Sequence, residues 1–186
     1  MQSNKALLIT DMIDVYIYGE KPLVPLESRE KLILNIKKAI NLARKKNIPI
    51  IYVNSAFRTT DPIYKLINYR EQATEKLNES KVINDLKPTS KDLIVKKRGF
   101  DGFWQSNLDH LLKKMGITEI FLVGCQTDCC IRETAITGSQ LGYDVFVLED
   151  CCQTSREFGQ IAALRFFSIC TKDVINLAEL QKKYFI

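Results

Sequence analysis

Short apolar runs alternate with stretches of helical spacing along the whole chain. KALLIT, residues 5–10, reads as a buried strand. Residues 26–46 turn helical, with Leu32, Ile36, Ile40 and Ala43 on one stripe. Asn47 caps that helix, and PIIYVN, residues 49–54, follows as a second strand. A polar stretch runs over residues 55–62, and residues 63–77 carry weak helical spacing. DLIVKK, residues 92–97, is a third strand. Ser106 and Asp109 form a capping-box-like start for a helix that runs through Met115. TEIFLVGC, residues 118–125, is the strongest strand signal, and a helix over residues 128–141 follows it. YDVFVLED, residues 143–150, is another strand. Thr154 and Glu157 match a second capping box, opening a helix to Ser168. Residues 173–184 end the chain with a short strand or turn and a helix.

Strands separated by helices imply parallel pairing, because parallel neighbours need long crossovers. The fold class is therefore α/β. A three-layer α/β/α arrangement is expected, around a central, mostly parallel sheet of five or six strands. In such sheets functional groups gather at the carboxyl ends of strands. That rule selects Asp11, Asn54, Lys97 and the segment 124–130.

The chain has 186 residues, which fits a single domain spanning 1–186. Hydrophobic residues make up 46%, enough for a sizeable core. The formal charge of +5 is scattered in short runs such as Arg44-Lys45-Lys46. That distribution argues against a nucleic-acid partner. No run reaches the roughly 18 apolar residues that span a bilayer, so no membrane partner is expected. The first apolar run stops at Asp11, too soon for the core of a signal peptide. A cytoplasmic location follows as an expectation, with thiols kept reduced. The six cysteines then call for a reason other than a disulfide frame.

Three of them, Cys125, Cys129 and Cys130, fall within VGCQTDCCIRETA. Cys130 lies in the first turn after a strand. Unpaired N–H groups and the helix dipole there favour a thiolate and suit an oxyanion. The position fits a nucleophile, and equally a small buried residue. Asp11, directly after an apolar strand, is either a base for that thiol or a turn cap. Lys97 is either a solvated lysine or an ammonium that stabilises both. The only histidine, His110, sits mid-helix, which disfavours a cysteine–histidine dyad. The cysteine cluster lacks paired C-x-x-C spacing, so no metal is expected. Neither a P-loop nor G-x-G-x-x-G occurs, and no cofactor is expected.

Three blocks resemble the isochorismatase-like cysteine hydrolases, which include nicotinamidases, N-carbamoyl amidohydrolases and isochorismatases. ALLITDMIDVY (residues 6–16) is similar to the family's strand-then-aspartate opening. VKKRGFDGFWQSNLDHLL (residues 95–112) is similar to its lysine block, in which a phenylalanine follows the lysine by six residues. VGCQTDCCIRETA is similar to G-x-x-T-x-x-C-V-x-x-T-A. The resemblance implies Cys130 as nucleophile, Asp11 as proton acceptor and donor, and Lys97 as third member. The family spacings select Lys97 over Lys96 and Cys130 over Cys129. The resemblance also implies a cis peptide between Cys125 and Gln126, with the Gln126 and Cys130 N–H groups facing an oxyanion.

Departures from the family pattern are equally specific. The usual Q-x-D-F reads Ile13-Asp14-Val15-Tyr16 here. Residues 54–61 contain no histidine, where nicotinamidases carry metal ligands. That argues against nicotinamide as substrate. Arg58 and Arg70 are candidates for an acidic substrate group, and Tyr16, Phe100, Phe103 and Trp104 for pocket walls. The expected activity is metal-independent hydrolysis of a C–N bond in a small amide, ureide or carbamoyl-type substrate. An isochorismatase-type vinyl-ether hydrolase is the alternative, or a non-catalytic binding or redox-sensing protein. The resemblance also implies a homo-oligomer, dimer or tetramer.

Overall fold

The computed structural model describes residues 3–66, 74 and 81–186. Its centre is a six-stranded sheet: β1 (Lys5–Thr10), β2 (Ile50–Ser55), β3 (Leu93–Lys97), β4 (Glu119–Cys125), β5 (Asp144–Gln153) and β6 (Asp173–Ile175). The strands lie in the order β3-β2-β1-β4-β5-β6, and every pairing is parallel. This is a three-layer α/β/α fold. β1 and β4 are neighbours although the chain leaves β1 in the other direction, toward β2. That reversal opens a crevice between their carboxyl ends.

Side chains alternate across the sheet and feed two cores. Leu7 and Ile9 of β1 and Phe121 and Val123 of β4 point to one face. There they meet Leu32, Ile36, Ala39, Ile40 and Ala43 of the long helix α2 (Leu26–Lys45). Phe121 lies flat on Phe146 at 4.7 Å and meets Phe185 edge-on at 5.0 Å. Ala6, Leu8, Ile120 and Leu122 point the other way. They pack on α3 (Leu108–Lys114), α4 (Arg132–Gln140) and α5 (Glu157–Cys170) through Leu108, Leu112, Ala135, Ala163 and Phe167. A four-residue helix α1 (Asp14–Ile17) and a short α6 (Leu177–Glu179) complete the α2 side.

The structure departs from the pattern reading at element ends. α3 starts at Leu108 behind Asn107, whose side chain makes no cap bond, while Ser106 Oγ accepts the Leu108 N–H at 3.1 Å. Asp109 is turned instead toward Lys113 and Tyr143. α5 starts at Glu157 behind Arg156, because Arg156 is drawn to Asp128. β5 runs three residues past Asp150, since its pairing with β4 resumes beyond a bulge, with Cys152 opposite Gly124. Residues Pro62–Leu66 form a 3-10 turn, Thr74 makes an isolated β-bridge with Phe57, and the rest of the expected 63–77 helix lies outside the described residues. Asn47 follows the C-cap residue Lys46 with φ +53°, a left-handed exit that asparagine tolerates.

Candidate active site

Three strand ends deliver the polar groups. β1 is followed directly by Asp11, which adopts φ +54°, a left-handed conformation open to Asp. β3 ends in Lys97, and β4 leads through Cys125 and Gln126 into a π turn, Thr127–Ile131, that carries Cys130. The Cys125–Gln126 peptide is cis. Gly124 just before it has φ +123°, and a Cβ there would lie 2.0 Å from the Thr10 carbonyl oxygen. Only glycine lets β4 pass the end of β1 so closely. The Cys125 thiol then donates to the Asp11 carbonyl at 3.2 Å.

Lys97 Nζ is the hub, and its side chain is fully buried. It lies 2.9 Å from Asp11 Oδ2 and 3.4 Å from Cys130 Sγ. It also donates to Ser55 Oγ at 2.8 Å and to the Gly99 carbonyl at 3.0 Å. Asp11 Oδ1 accepts the Ser55 N–H at 2.6 Å. Asp11 and Cys130 are both buried. A buried charge is tolerable only when paired and hydrogen-bonded, and this cluster meets that condition. Burial opposes charge on Lys97, but the Asp11 carboxylate and Cys130 outweigh it, so its pKa stands above the ordinary lysine value. Lys97 is thus an ammonium at any physiological pH.

Cys130 behaves differently from the expectation drawn from its helix-start position. Its side-chain hydrogen bond with Cys129 and its burial hold the thiol pKa well above the ordinary value. Lys97 pulls the other way, and Asp11 adds to the rise. The Cys130 sulfur thus shares the Lys97 ammonium with Asp11, at 3.4 Å and 2.9 Å.

Two contributors escaped the sequence reading. Ser55, not Asn54, faces the cluster, because successive side chains of β2 alternate between faces. The Gly99 carbonyl carries no side-chain signal at all. Its loop is pinned to α4, since the Gly102 N–H donates to Thr134 Oγ1 at 2.8 Å and Thr137 Oγ1 donates to Asp101 at 2.8 Å. Burial pushes the Asp101 carboxyl up, while the Phe103 N–H and Thr137 pull it down.

The remaining candidates are spread over the molecule. Tyr16 is buried in the α2-side core, and Phe100 packs against the same cluster. Phe103 is buried in the opposite core and stacks on Tyr143 at 5.8 Å. Trp104 is exposed, with its indole against Gly99, where an added Cβ would come within 2.9 Å of the ring. Arg58 is exposed and lines an open cavity of about 410 Å³ with Lys96, Arg98 and Asp61. Lys96 is exposed where Lys97 is buried. Asp14 is half-buried on α1, its pKa raised by burial. Arg70 lies outside the described residues.

The Isochorismatase domain family model matches residues 5–179. The chain belongs to the isochorismatase family. It is a hydrolase-family fold in sequence as well as in shape. The ureidoacrylate amidohydrolase RutB of Pseudomonas savastanoi pv. phaseolicola is 28% identical over 186 residues, covering 86% of this chain and 75% of the relative. The uncharacterized isochorismatase family protein YrdC of Bacillus subtilis is 29% identical over 154 residues, covering 81% and 74%. Among solved structures, N-carbamoylsarcosine amidase from Thermoplasma acidophilum matches with a TM-score of 0.83 at 25% identity, covering 93% of this chain and 96% of that one. No helix among the described residues of this isochorismatase-family protein is long and apolar enough to cross a membrane.

Proposed function

We propose that this isochorismatase-family hydrolase cleaves the C–N bond of a small amide, ureide or carbamoyl-type substrate, with Cys130 as nucleophile. The observation that carries the reading is Lys97 Nζ set between Asp11 Oδ2 at 2.9 Å and Cys130 Sγ at 3.4 Å. An amidohydrolase and an amidase among the relatives support a C–N bond as the target.

Attack begins with transfer of the Cys130 proton to Asp11. Lys97 stabilises the thiolate as it forms. Sulfur bonds to the substrate carbonyl carbon, and the carbonyl oxygen takes up the negative charge. Backbone N–H groups of Gln126 and Cys130 hold that oxyanion. Asp11 passes its proton to the departing nitrogen and the C–N bond breaks. A thioester remains, or a thiocarbamate from a ureide. Asp11 then takes a proton from water, the hydroxide displaces sulfur, and the proton returns to Cys130. No step calls on a metal.

The test is release of ammonia or amine from a panel of N-carbamoyl amino acids, ureido acids and simple amides. Cys130→Ala and Asp11→Asn should both abolish turnover of whichever substrate the native chain accepts. Turnover that survives loss of the thiol but not of Asp11 overturns the covalent route and favours acid-only hydrolysis of the vinyl-ether type.

A further inference from the structure

The turn that carries Cys130 is held from outside. A π turn is rare and intrinsically weak. Thr127–Ile131 closes on the Gln126 carbonyl, which accepts the Cys129 N–H at 3.1 Å and the Ile131 N–H at 3.1 Å. Its second residue, Asp128, reaches toward α5 instead. Arg156 donates to it twice, from Nε to Oδ2 at 2.7 Å and from Nη2 to Oδ1 at 2.8 Å. The Asp128 side chain is only 12% exposed. Burial pushes its carboxyl up, but the hydrogen bonds and charge of Arg156 outweigh it and hold the pKa below the ordinary value. The same carboxylate rests against Gly159 in the first turn of α5, where an added Cβ would collide with Oδ2. That helical turn is itself tied to the sheet, because Gln160 Nε2 donates to the Cys152 carbonyl at 3.1 Å.

We propose that Asp128, locked by Arg156 against Gly159, is a positioning residue that sets the turn of Cys130 and so aims its sulfur at Lys97. The proposal rests on the reading of Cys130 as nucleophile. Three observations carry it. The first is the contrast with Arg132 and Glu133, an ion pair just beyond the turn. Those partners are adjacent in the chain and 45% and 37% exposed, so their pairing is solvated and fixes nothing. Asp128 and Arg156 lie 28 residues apart and on different elements. Their two-pronged bond fixes orientation as well as distance. It joins the turn to a helix that is anchored in the core by Ala163 and Phe167.

The second is Gly159. Glycine inside a helix costs about 0.5–1 kcal/mol relative to alanine. Here its missing side chain is what seats the carboxylate. The third is charge. Asp128 stands two residues before the nucleophile, where a bare carboxylate would oppose both a thiolate and an oxyanion. The Arg156 guanidinium cancels that charge while it holds the turn.

The test compares the native chain with Asp128→Asn, Arg156→Met, the double variant and Gly159→Ala. Gly159→Ala favours the helix but drives the carboxylate from its seat. On an accepted N-carbamoyl amino acid, ureido acid or amide, each single variant should lose about ten- to hundredfold in kcat, with KM changed less than about twofold. The double variant should lose no more than the worse single one, because both changes remove the same bond. A second readout needs no substrate. Limiting iodoacetamide is followed by tandem mass spectrometry of the peptide that contains both Cys129 and Cys130. The two thiols share any change in access to the turn, and only Cys130 has Lys97 beside it. The Cys130-to-Cys129 labelling ratio should therefore fall about tenfold in Asp128→Asn and in Gly159→Ala. A fallen ratio in a protein that turns over none of these compounds would sink the hydrolase reading and still support the clamp. Native kcat and a native ratio in both variants, with only the melting temperature lowered, would reduce Asp128 to a structural role and overturn the proposal.

Discussion

Cys130 and Cys152 are both buried, both near the carboxyl end of the sheet, and both held above the ordinary thiol pKa. Their neighbours separate them. Cys152 sits on β5 in the core facing α3–α5, and its Sγ lies 3.6 Å from the Leu122 carbonyl oxygen. Its pKa is raised chiefly by burial. Cys130 has the Lys97 ammonium at 3.4 Å, itself 2.9 Å from the Asp11 carboxylate. The pKa of both is raised, at Cys130 by the Cys129 hydrogen bond and then burial, at Cys152 by burial. Only Cys130 has a base to receive its proton and a cation to hold the resulting thiolate. On this comparison, the groups around the sulfur, not its burial, set Cys130 apart.

The sharpest way to break the comparison is to remove each sulfur in turn. Cys130→Ala should lower kcat/KM by about 10⁴-fold or more, as loss of a nucleophile commonly does. Cys152→Ala should leave kcat/KM within a fewfold and cost about 1–2 kcal/mol of stability for the small void. Equal activity losses in the two variants would erase the distinction.

Next in size is the cation. Lys97→Met leaves the Asp11 carboxylate buried without its partner and should cost about 3–5 kcal/mol in urea unfolding. The double variant Asp11→Asn/Lys97→Met should recover much of that loss. A Lys97→Met protein as stable as the native chain would mean the pair contributes nothing to the fold.

Alkaline pH probes the raised pKa of Cys152 and its neighbour Cys151. Burial first, then Asp150, raises Cys151, and burial raises Cys152. Unfolded thiols ionise near pH 8.5, whereas these stay protonated in the fold. Their stabilising effect is therefore complete below about pH 8.5. It is lost as pH rises, by up to about 1.4 kcal/mol per unit for each thiol. A melting temperature that holds level from pH 8 to 10 would contradict this.

The smallest effect concerns the loop that supplies the Gly99 carbonyl. Thr134→Val strips the Gly102 N–H of its acceptor and loosens Lys97 through that loop. kcat should fall about three- to tenfold with KM little changed, and Thr134→Ser should restore it. A variant in which Ser fails to rescue would assign Thr134 to packing alone.

The strands and the three charged or nucleophilic residues were readable in the sequence for one reason. Each lies where an apolar run stops, and in a parallel sheet those ends converge. The convergence turns residues 11, 97 and 130 into neighbours without any local signal between them. What the sequence did not disclose depends on distant groups. The helix starts shifted because Asp109 turned to Tyr143 and Arg156 to Asp128, pairings 34 and 28 residues apart in the chain. Ser55 and the Gly99 carbonyl act through geometry that composition does not encode. The thiol's raised pKa arises from Cys129 and burial, which override the local bias of a helix start.

The most direct measurement is mass spectrometry of the protein quenched during turnover of an accepted amide or ureide. The account predicts an acyl adduct on the peptide containing Cys130, absent from Cys130→Ala and absent from peptides carrying Cys151 and Cys152. Sustained turnover by Cys130→Ala, with no adduct on the native chain at any quench time, would contradict it.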